Sequence, residues 1–303
     1  MQIKTAIERY LHHRSKRLAK RSIKTYERNL CDFARYVGED TQLNAITDEM
    51  IDAYQVQLQT RVSEATQVNY ANTLRGFFKY WTAKGETTVA WELIEGPRIP
   101  EKLPNHITES QFEWLDEYLD EDSFDQLTRK VVFHMLWNTG MRIGELLALD
   151  ISDIRADQNY TYIQTEKSRR NRLVKWSEEC HRLLLKYLGI RLALNQRPEL
   201  FQAPRGNRRC RLTSRSVQRW CKEIEKALGF PVNPHAFRHG KMHYILNQGG
   251  RRHDIKVVAG HSSITSSEVY TRLNVKEQSE LLDRFIPRQK KYTHSKVRVA
   301  RRS

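Results

Sequence analysis

The sequence predicts a mainly α-helical protein with one small antiparallel β-hairpin, divided into two domains. Three observations lead there. Apolar residues recur at helical spacing and run into glycine stops. Two stretches rich in β-formers, Tyr160 to Thr165 and Arg172 to Trp176, flank the polar segment Glu166 to Asn171. Between Glu95 and Thr108 lie three prolines and a glycine, a composition that cannot propagate a helix. The expected organisation is a helical domain over 1–94, a linker over 95–107, a mixed α+β domain over 108–286 and a basic tail over 287–303. A chain of 303 residues is long enough for two such domains.

In the first domain, Ser22 is placed to cap a helix in which Tyr26, Leu30, Phe33 and Val37 share a face, and Gly38 terminates it. A second helix is expected from Thr47, with Asp48 and Glu49 favouring the positive end of its dipole and Ile51, Tyr54 and Leu58 turned inward. A third starts near Ser63, carries Val68, Leu74, Phe77, Phe78 and Trp81 as an apolar stripe, and ends by Gly85. Arg75 and Lys79 fall off that stripe and are candidate binding residues on the outer face.

In the second domain, Leu127, Val131, Val132, Met135 and Leu136 define a helix closed by Asn138-Thr139-Gly140, and another helix begins around Arg142. The hairpin follows, its basic loop at the tip. Val217, Trp220, Cys221, Ile224 and Leu228 then line one side of an amphipathic helix whose outer side carries Arg215, Arg219, Lys222 and Lys226, a face suited to a phosphate backbone. The tail after Pro287 holds seven basic residues and no acidic one.

The balance of 52 Lys+Arg against 36 Asp+Glu gives a formal charge of +16, which favours an extended polyanion over an acidic small molecule as partner. The four cysteines, Cys31, Cys180, Cys210 and Cys221, form no C-x-x-C pair, so neither a zinc ribbon nor a disulfide framework is expected. The start Met1-Gln2-Ile3-Lys4 lacks the apolar run of a secretory signal, and no stretch reaches the length of a membrane span. The expected location is the cytoplasm, with no membrane partner.

A phosphodiester passing through a pentavalent state needs cations on its equatorial oxygens, a nucleophile, and an acid for the departing oxygen. Guanidinium suits the first task, because its planar fork binds two oxygens and keeps its charge. Three segments offer these parts: Thr-Gly-Met-Arg-Ile-Gly-Glu-Leu at 139–146, His-Ala-Phe-Arg-His at 235–239, and Gly-His-Ser-Ser-Ile-Thr-Ser-Ser-Glu-Val-Tyr-Thr at 260–271. His235 and Arg238 are three apart on a helix opening after Pro234, so both project near its positive end.

Taken in order, Arg142, Lys167, His235-x-x-Arg238, Gly260-His261 and Tyr270 closely resemble the catalytic series of the tyrosine recombinase, or phage integrase, family. The resemblance covers about Thr108 to Phe285, and the helical first domain resembles the family's core-binding domain by pattern. With no room expected for a further arm-binding domain, the chain is similar to compact Xer-like recombinases. The resemblance implies that Tyr270 is the nucleophile, forming a 3′-phosphotyrosyl link. It implies that Arg142, Arg238 and His261 hold the phosphate, that Lys167 protonates the leaving 5′-oxygen, and that His235 takes the tyrosine proton. Glu145 would orient Arg142 without touching the phosphate, while Arg169 and Arg170 in the hairpin loop would contact DNA. The implied partners are double-stranded DNA recombination sites, a homotetramer spanning two of them, and an accessory protein or partner recombinase. No cofactor or metal is implied.

The basic loop lacks the family's usual glycines, and Lys175 is the alternative to Lys167. After Arg238 the family's His-Ser-Phe-Ala-like run is replaced by His239-Gly240-Lys241-Met242, and Val258-Ala259 stands where a leucine pair often precedes Gly-His. Two other readings use the same residues: a type IB topoisomerase, and a DNA-binding architectural protein without activity. The topoisomerase fits less well with Leu281 to Ile286, a C-terminal segment suited to docking on a neighbouring subunit. The architectural protein is disfavoured because every catalytic position is filled. A metallonuclease lacks the clustered carboxylates that would hold magnesium.

Overall fold

A computed structural model of the chain describes residues 1–100, 104–164, 171–203, 210–259 and 275–287, with the side chains of residues 171, 252 and 275–279 outside the description. The chain forms two compact units, Met1–Lys102 and Leu103–Ser303. No described helix is long and apolar enough to cross a membrane.

The first unit is built from α1 (Ile3–Ser15), α2 (Lys20–Val37), α3 (Asp48–Arg61) and α4 (Glu64–Thr82), with one 3₁₀ turn at Leu43–Ala45 between α2 and α3 and another at Trp91–Leu93 after α4. Its core takes Ile3, Ile7 and Tyr10 from α1, Leu30 and Phe33 from α2, Ile51, Tyr54 and Leu58 from α3, and Leu74, Phe77, Phe78 and Trp81 from α4. The aromatics pack edge to face, Phe33 against both Tyr54 and Phe78. Thr47 caps α3 by accepting from the Met50 amide, and Gly38 closes α2 at a φ of 96°. The start of α2 differs from expectation. Ser22 lies inside the first turn, and Ala19, which has no capping side chain, occupies the N-cap. The preceding turn, in which the Arg17 and Leu18 amides donate to the Arg14 carbonyl, sets the entry of the chain instead.

The second unit contains α5 (Glu109–Tyr118), α6 (Phe124–Thr139), α7 (Ile143–Ala148), the strands β1 (Tyr160–Gln164) and β2 (Asn171–Lys175), then α8 (Glu178–Leu194), α9 (Ser214–Leu228), α10 (Pro234–Asn247), α11 (Arg252–Ala259) and α12 (Val275–Arg284). Helix α6 is its axis. Every residue from Val131 to Thr139 is buried, and α8, α10 and β2 all pack on it. The strands pair antiparallel with Ile163 opposite Arg172 and Tyr160 opposite Lys175.

The C-terminal segment packs on its own chain. Leu282 and Phe285 are buried against Leu173, Ile245 and Val258. Lys241 donates to the Phe285 carbonyl, Tyr244 donates to the Ile286 carbonyl at 3.4 Å, and Lys175 meets Asp283 at 2.5 Å. Of the apolar side chains expected to seek a neighbouring subunit, Leu282 and Phe285 are therefore covered within this chain, while Leu281 and Ile286 keep part of their surface exposed.

Candidate active site

Gly140 ends α6 in the left-handed conformation, with φ 61°, where a Cβ would press within 3.0 Å of Lys241 and Met242. The chain turns there, buries Met141 and leaves Arg142 as the N-cap of α7. Glu145, in the first turn of α7, folds back on that cap. It accepts from the Arg142 amide at 2.8 Å and from the Arg142 guanidinium at 2.9 Å. The Glu145 carboxylate is fully buried, while the Arg142 side chain keeps 28% of its surface exposed.

A third residue completes this arrangement. Arg172 on β2 donates from Nη2 to Glu145 Oε2 at 2.9 Å and from Nη1 to the carbonyl of Ala259, the last residue of α11, at 2.8 Å. Arg238, on α10, donates to that same Ala259 carbonyl at 2.5 Å and to the Gly140 carbonyl at 2.8 Å. Helix α10 begins as its sequence demands: Asn233 accepts from the Ala236 amide at 2.9 Å and Pro234 sits in the first turn. One turn in, Arg238 is buried.

Two guanidiniums thus hold one carboxylate, with the Arg238 charge in electrostatic reach of it, a surplus of positive charge. Burial, aided by the charges of Arg142 and Arg172, pushes the Arg238 pKa down to about 10, and burial also lowers that of Arg172. Arg238 remains cationic at neutral pH. Arg142, with 28% of its side chain exposed, is the member of the cluster that offers positive charge and a forked donor to solvent.

His235 is exposed, and His239, one turn further, has its pKa lowered by burial and by the neighbouring His235, Arg238, His243 and His106. The rings of His106 and His243 stack at 4.0 Å. Among the described residues there is no group of three or more His, Cys, Asp or Glu side chains able to hold a metal ion.

The structure therefore brings together Arg142, Glu145 and Arg238. Lys167, His261 and Tyr270 lie outside the described residues, as do Arg169 and Arg170. Lys175 is engaged with Asp283. Arg215, Arg219 and Lys222 are exposed on α9, opposite the buried Val217, Trp220, Cys221 and Ile224. Lys79 is exposed over the Trp91 ring at 4.4 Å, and Arg75 donates to the Ile94 carbonyl at 2.9 Å and 2.5 Å.

Two residues escape a reading of the sequence: Arg172 and Lys241. The signal for Arg172 is alternation, since it shares a strand face with the buried Val174 and Trp176, where an arginine must find partners. Lys241 falls in phase with Phe237 and Tyr244 on the inner side of α10.

Residues 105–277 match the family described as "Phage integrase family", and residues 5–85 match "Phage integrase, N-terminal SAM-like domain". A tyrosine recombinase of Thermosipho africanus is 26% identical over 280 residues, covering 89% of this chain and 94% of its own length. Tyrosine recombinase XerC of Myxococcus xanthus is 27% identical over 279 residues, covering 88% and 92%. Tyrosine recombinase XerA of Pyrococcus furiosus is 27% identical over 211 residues, covering 70% and 71%. The fold is that of the Tn1549 transposon integrase solved with transposon right end DNA, with a TM-score of 0.72 at 15% identity over 95% of this chain and 96% of that one. It is also that of a lambda integrase dimer bound to a COC′ core site, at 0.69 and 17% over 90% and 100%.

Proposed function

Because the chain belongs to the phage integrase family, we propose that it is a site-specific DNA recombinase of the tyrosine type, cutting and rejoining DNA strands. The observation that carries the reading is the cluster of Arg142, Arg238 and Glu145, held with Arg172 in a surplus of positive charge. Its parts come from α7, β2, α10 and the end of α11, which supports reading the cluster as the place where a phosphate is held.

In this reading the Tyr270 oxygen attacks the phosphorus, a 3′-phosphotyrosyl bond forms, and the bond to the 5′-oxygen breaks. Lys167 supplies the proton that makes the 5′-hydroxyl, and His235 receives the proton of the tyrosine. Arg142, Arg238 and His261 hold the non-bridging oxygens while charge builds on them. The covalent link stores the phosphodiester energy, so the 5′-hydroxyl of a partner strand reverses the step without a nucleotide. Arg75, Lys79, Arg169, Arg170, Arg215, Arg219 and Lys222 supply phosphate contacts along double-stranded DNA. The working form in this reading is a homotetramer across two sites in the cytoplasm, with an accessory protein or partner recombinase as a further component.

The test incubates wild type and Tyr270→Phe with nicked suicide DNA from the gene's own neighbourhood, in EDTA, followed by denaturing electrophoresis. The wild type is expected to leave a covalent protein–DNA adduct that maps to Tyr270, and Tyr270→Phe to bind the DNA and leave none. Binding without an adduct in the wild type would favour the architectural reading. Cleavage that EDTA abolishes would favour a metallonuclease. Relaxation of a supercoil by a lone subunit, with no joint product from two sites, would favour the topoisomerase.

A further inference from the structure

We infer that Arg172 is a positioning residue of the strand-cleavage chemistry, tying together the supports of the two clamp arginines; this rests on the recombinase reading above. The geometry is specific. The guanidiniums of Arg142 and Arg172 share the Glu145 carboxylate, one on each oxygen, and the Arg142 amide donates to the oxygen that Arg172 uses. Arg238 and Arg172 share the Ala259 carbonyl. Arg172 is hydrogen-bonded to a partner of each clamp residue, and it does so with the two branches of one rigid fork.

Its place in the chain adds a third link. Arg172 sits at the start of β2, five residues after Lys167 in sequence, and Ala259 precedes His261 by two residues. One guanidinium therefore anchors the base of the hairpin strand, the cap of α7 and the end of α11. In the recombinase reading each of these either carries a residue of the reaction, Arg142, or adjoins one in sequence, Lys167 and His261.

A role in folding alone fits less well. Burying a guanidinium and a carboxylate costs desolvation that an apolar pair in the same volume would avoid, so a buried pair is weak support for stability. Arg172 is 9% exposed, and the Arg142 and Arg238 charges nearby oppose its own. That arrangement raises the positive potential at Arg142 while holding it in place. It is tuned for a third party with negative charge.

The experiment compares wild type, Arg172→Met and Arg172→Lys on the nicked suicide DNA, measuring DNA affinity, single-turnover cleavage at saturating DNA, and thermal unfolding. Methionine keeps much of the apolar volume, whereas lysine keeps the charge without the fork. Misplacing a reacting group by about 1 Å costs roughly 100-fold, so Arg172→Met is expected to cleave about 100-fold slower while its affinity changes less than about threefold. Arg172→Lys is expected to recover part of the rate, about tenfold, because one ammonium satisfies one partner. Should Arg172→Met fail to unfold cooperatively, Arg172→Lys decides: slowed cleavage at unchanged affinity supports the inference and wild-type cleavage overturns it. A loss of affinity that accounts for the whole defect also overturns it. If wild type forms no adduct, the recombinase reading falls and this inference with it; if wild type forms one and a folded Arg172→Met cleaves equally fast, this inference alone falls.

Discussion

Arginine and lysine meet burial in different ways in this chain. Arg238 stays charged with its pKa held at about 10, its guanidinium satisfied by two carbonyls. Lys241, three residues on and only 3% exposed, has the Phe285 carbonyl as acceptor, and burial lowers its pKa from 10.5 to about 7. Between those two values the unfolded chain keeps a proton that the folded chain has released. Stability contributed through this group therefore rises with pH from about 7 towards 10.5, and below 7 the cost of the buried charge is present in full. Lys241→Met removes the titrating group. Denaturant unfolding of both proteins from pH 6 to 9 is expected to show the variant's stability relative to wild type falling as pH rises; a constant difference would mean that Lys241 does not titrate in that window.

Among the elements, those whose ends are written in local chemistry were legible and those set by tertiary contact were not. Gly140 after Asn138-Thr139, Thr47 before Asp48-Glu49, and Pro234 behind Asn233 each mark a helix boundary that the structure keeps. The start of α2 has no such mark, because Ala19 caps it without a side chain. The hairpin was legible from its β-formers, yet the inward turn of Arg172 depends on Glu145 and Ala259, 27 and 87 residues away. Gly240 is likewise opaque in sequence, where it stands simply as a departure from the family's serine. In the fold, a Cβ there would collide with the Ile107 carbonyl and lie 2.8 Å from Trp137, beside the bond from the Ile107 amide to the Ala236 carbonyl. A backbone carbonyl cannot swing aside as a side chain can. Gly240→Ala is therefore expected to cost about 1–3 kcal/mol through overpacking. Gly189, exposed inside α8 with nothing within 4 Å of its Cβ position, supplies the opposite case. Gly189→Ala is expected to stabilise by about 0.5–1 kcal/mol from helix propensity alone. Calorimetry of the two variants checks the sign of each; equal melting temperatures would remove the proposed close approach as a constraint on α10.

For the molecule as a whole, a formal charge of +16 predicts strong, salt-sensitive binding to any DNA but does not say which cations meet phosphate. The fold narrows the choice. Glu223 already takes Arg129 at 2.7 Å, and Arg219 stands 3.9 Å from it on an open surface, so Arg219 is available to an external anion. With Arg215 and Lys222 it forms an exposed cationic face on a helix whose other side is locked in the core. Each phosphate neutralised on B-DNA contributes about −0.9 to the slope of log affinity against log salt. Replacing all three by glutamine is expected to make that slope shallower by up to about 2.7, read from DNA titrations between roughly 50 and 300 mM salt. Phosphate contacts position a protein without reporting base identity, so the preference for the recombination site over random DNA is expected to change little while both affinities fall together. A slope that does not move would take α9 off the DNA. A slope that moves together with a collapse of site preference would mean that these side chains read base edges, and α9 would then set which sites the enzyme joins.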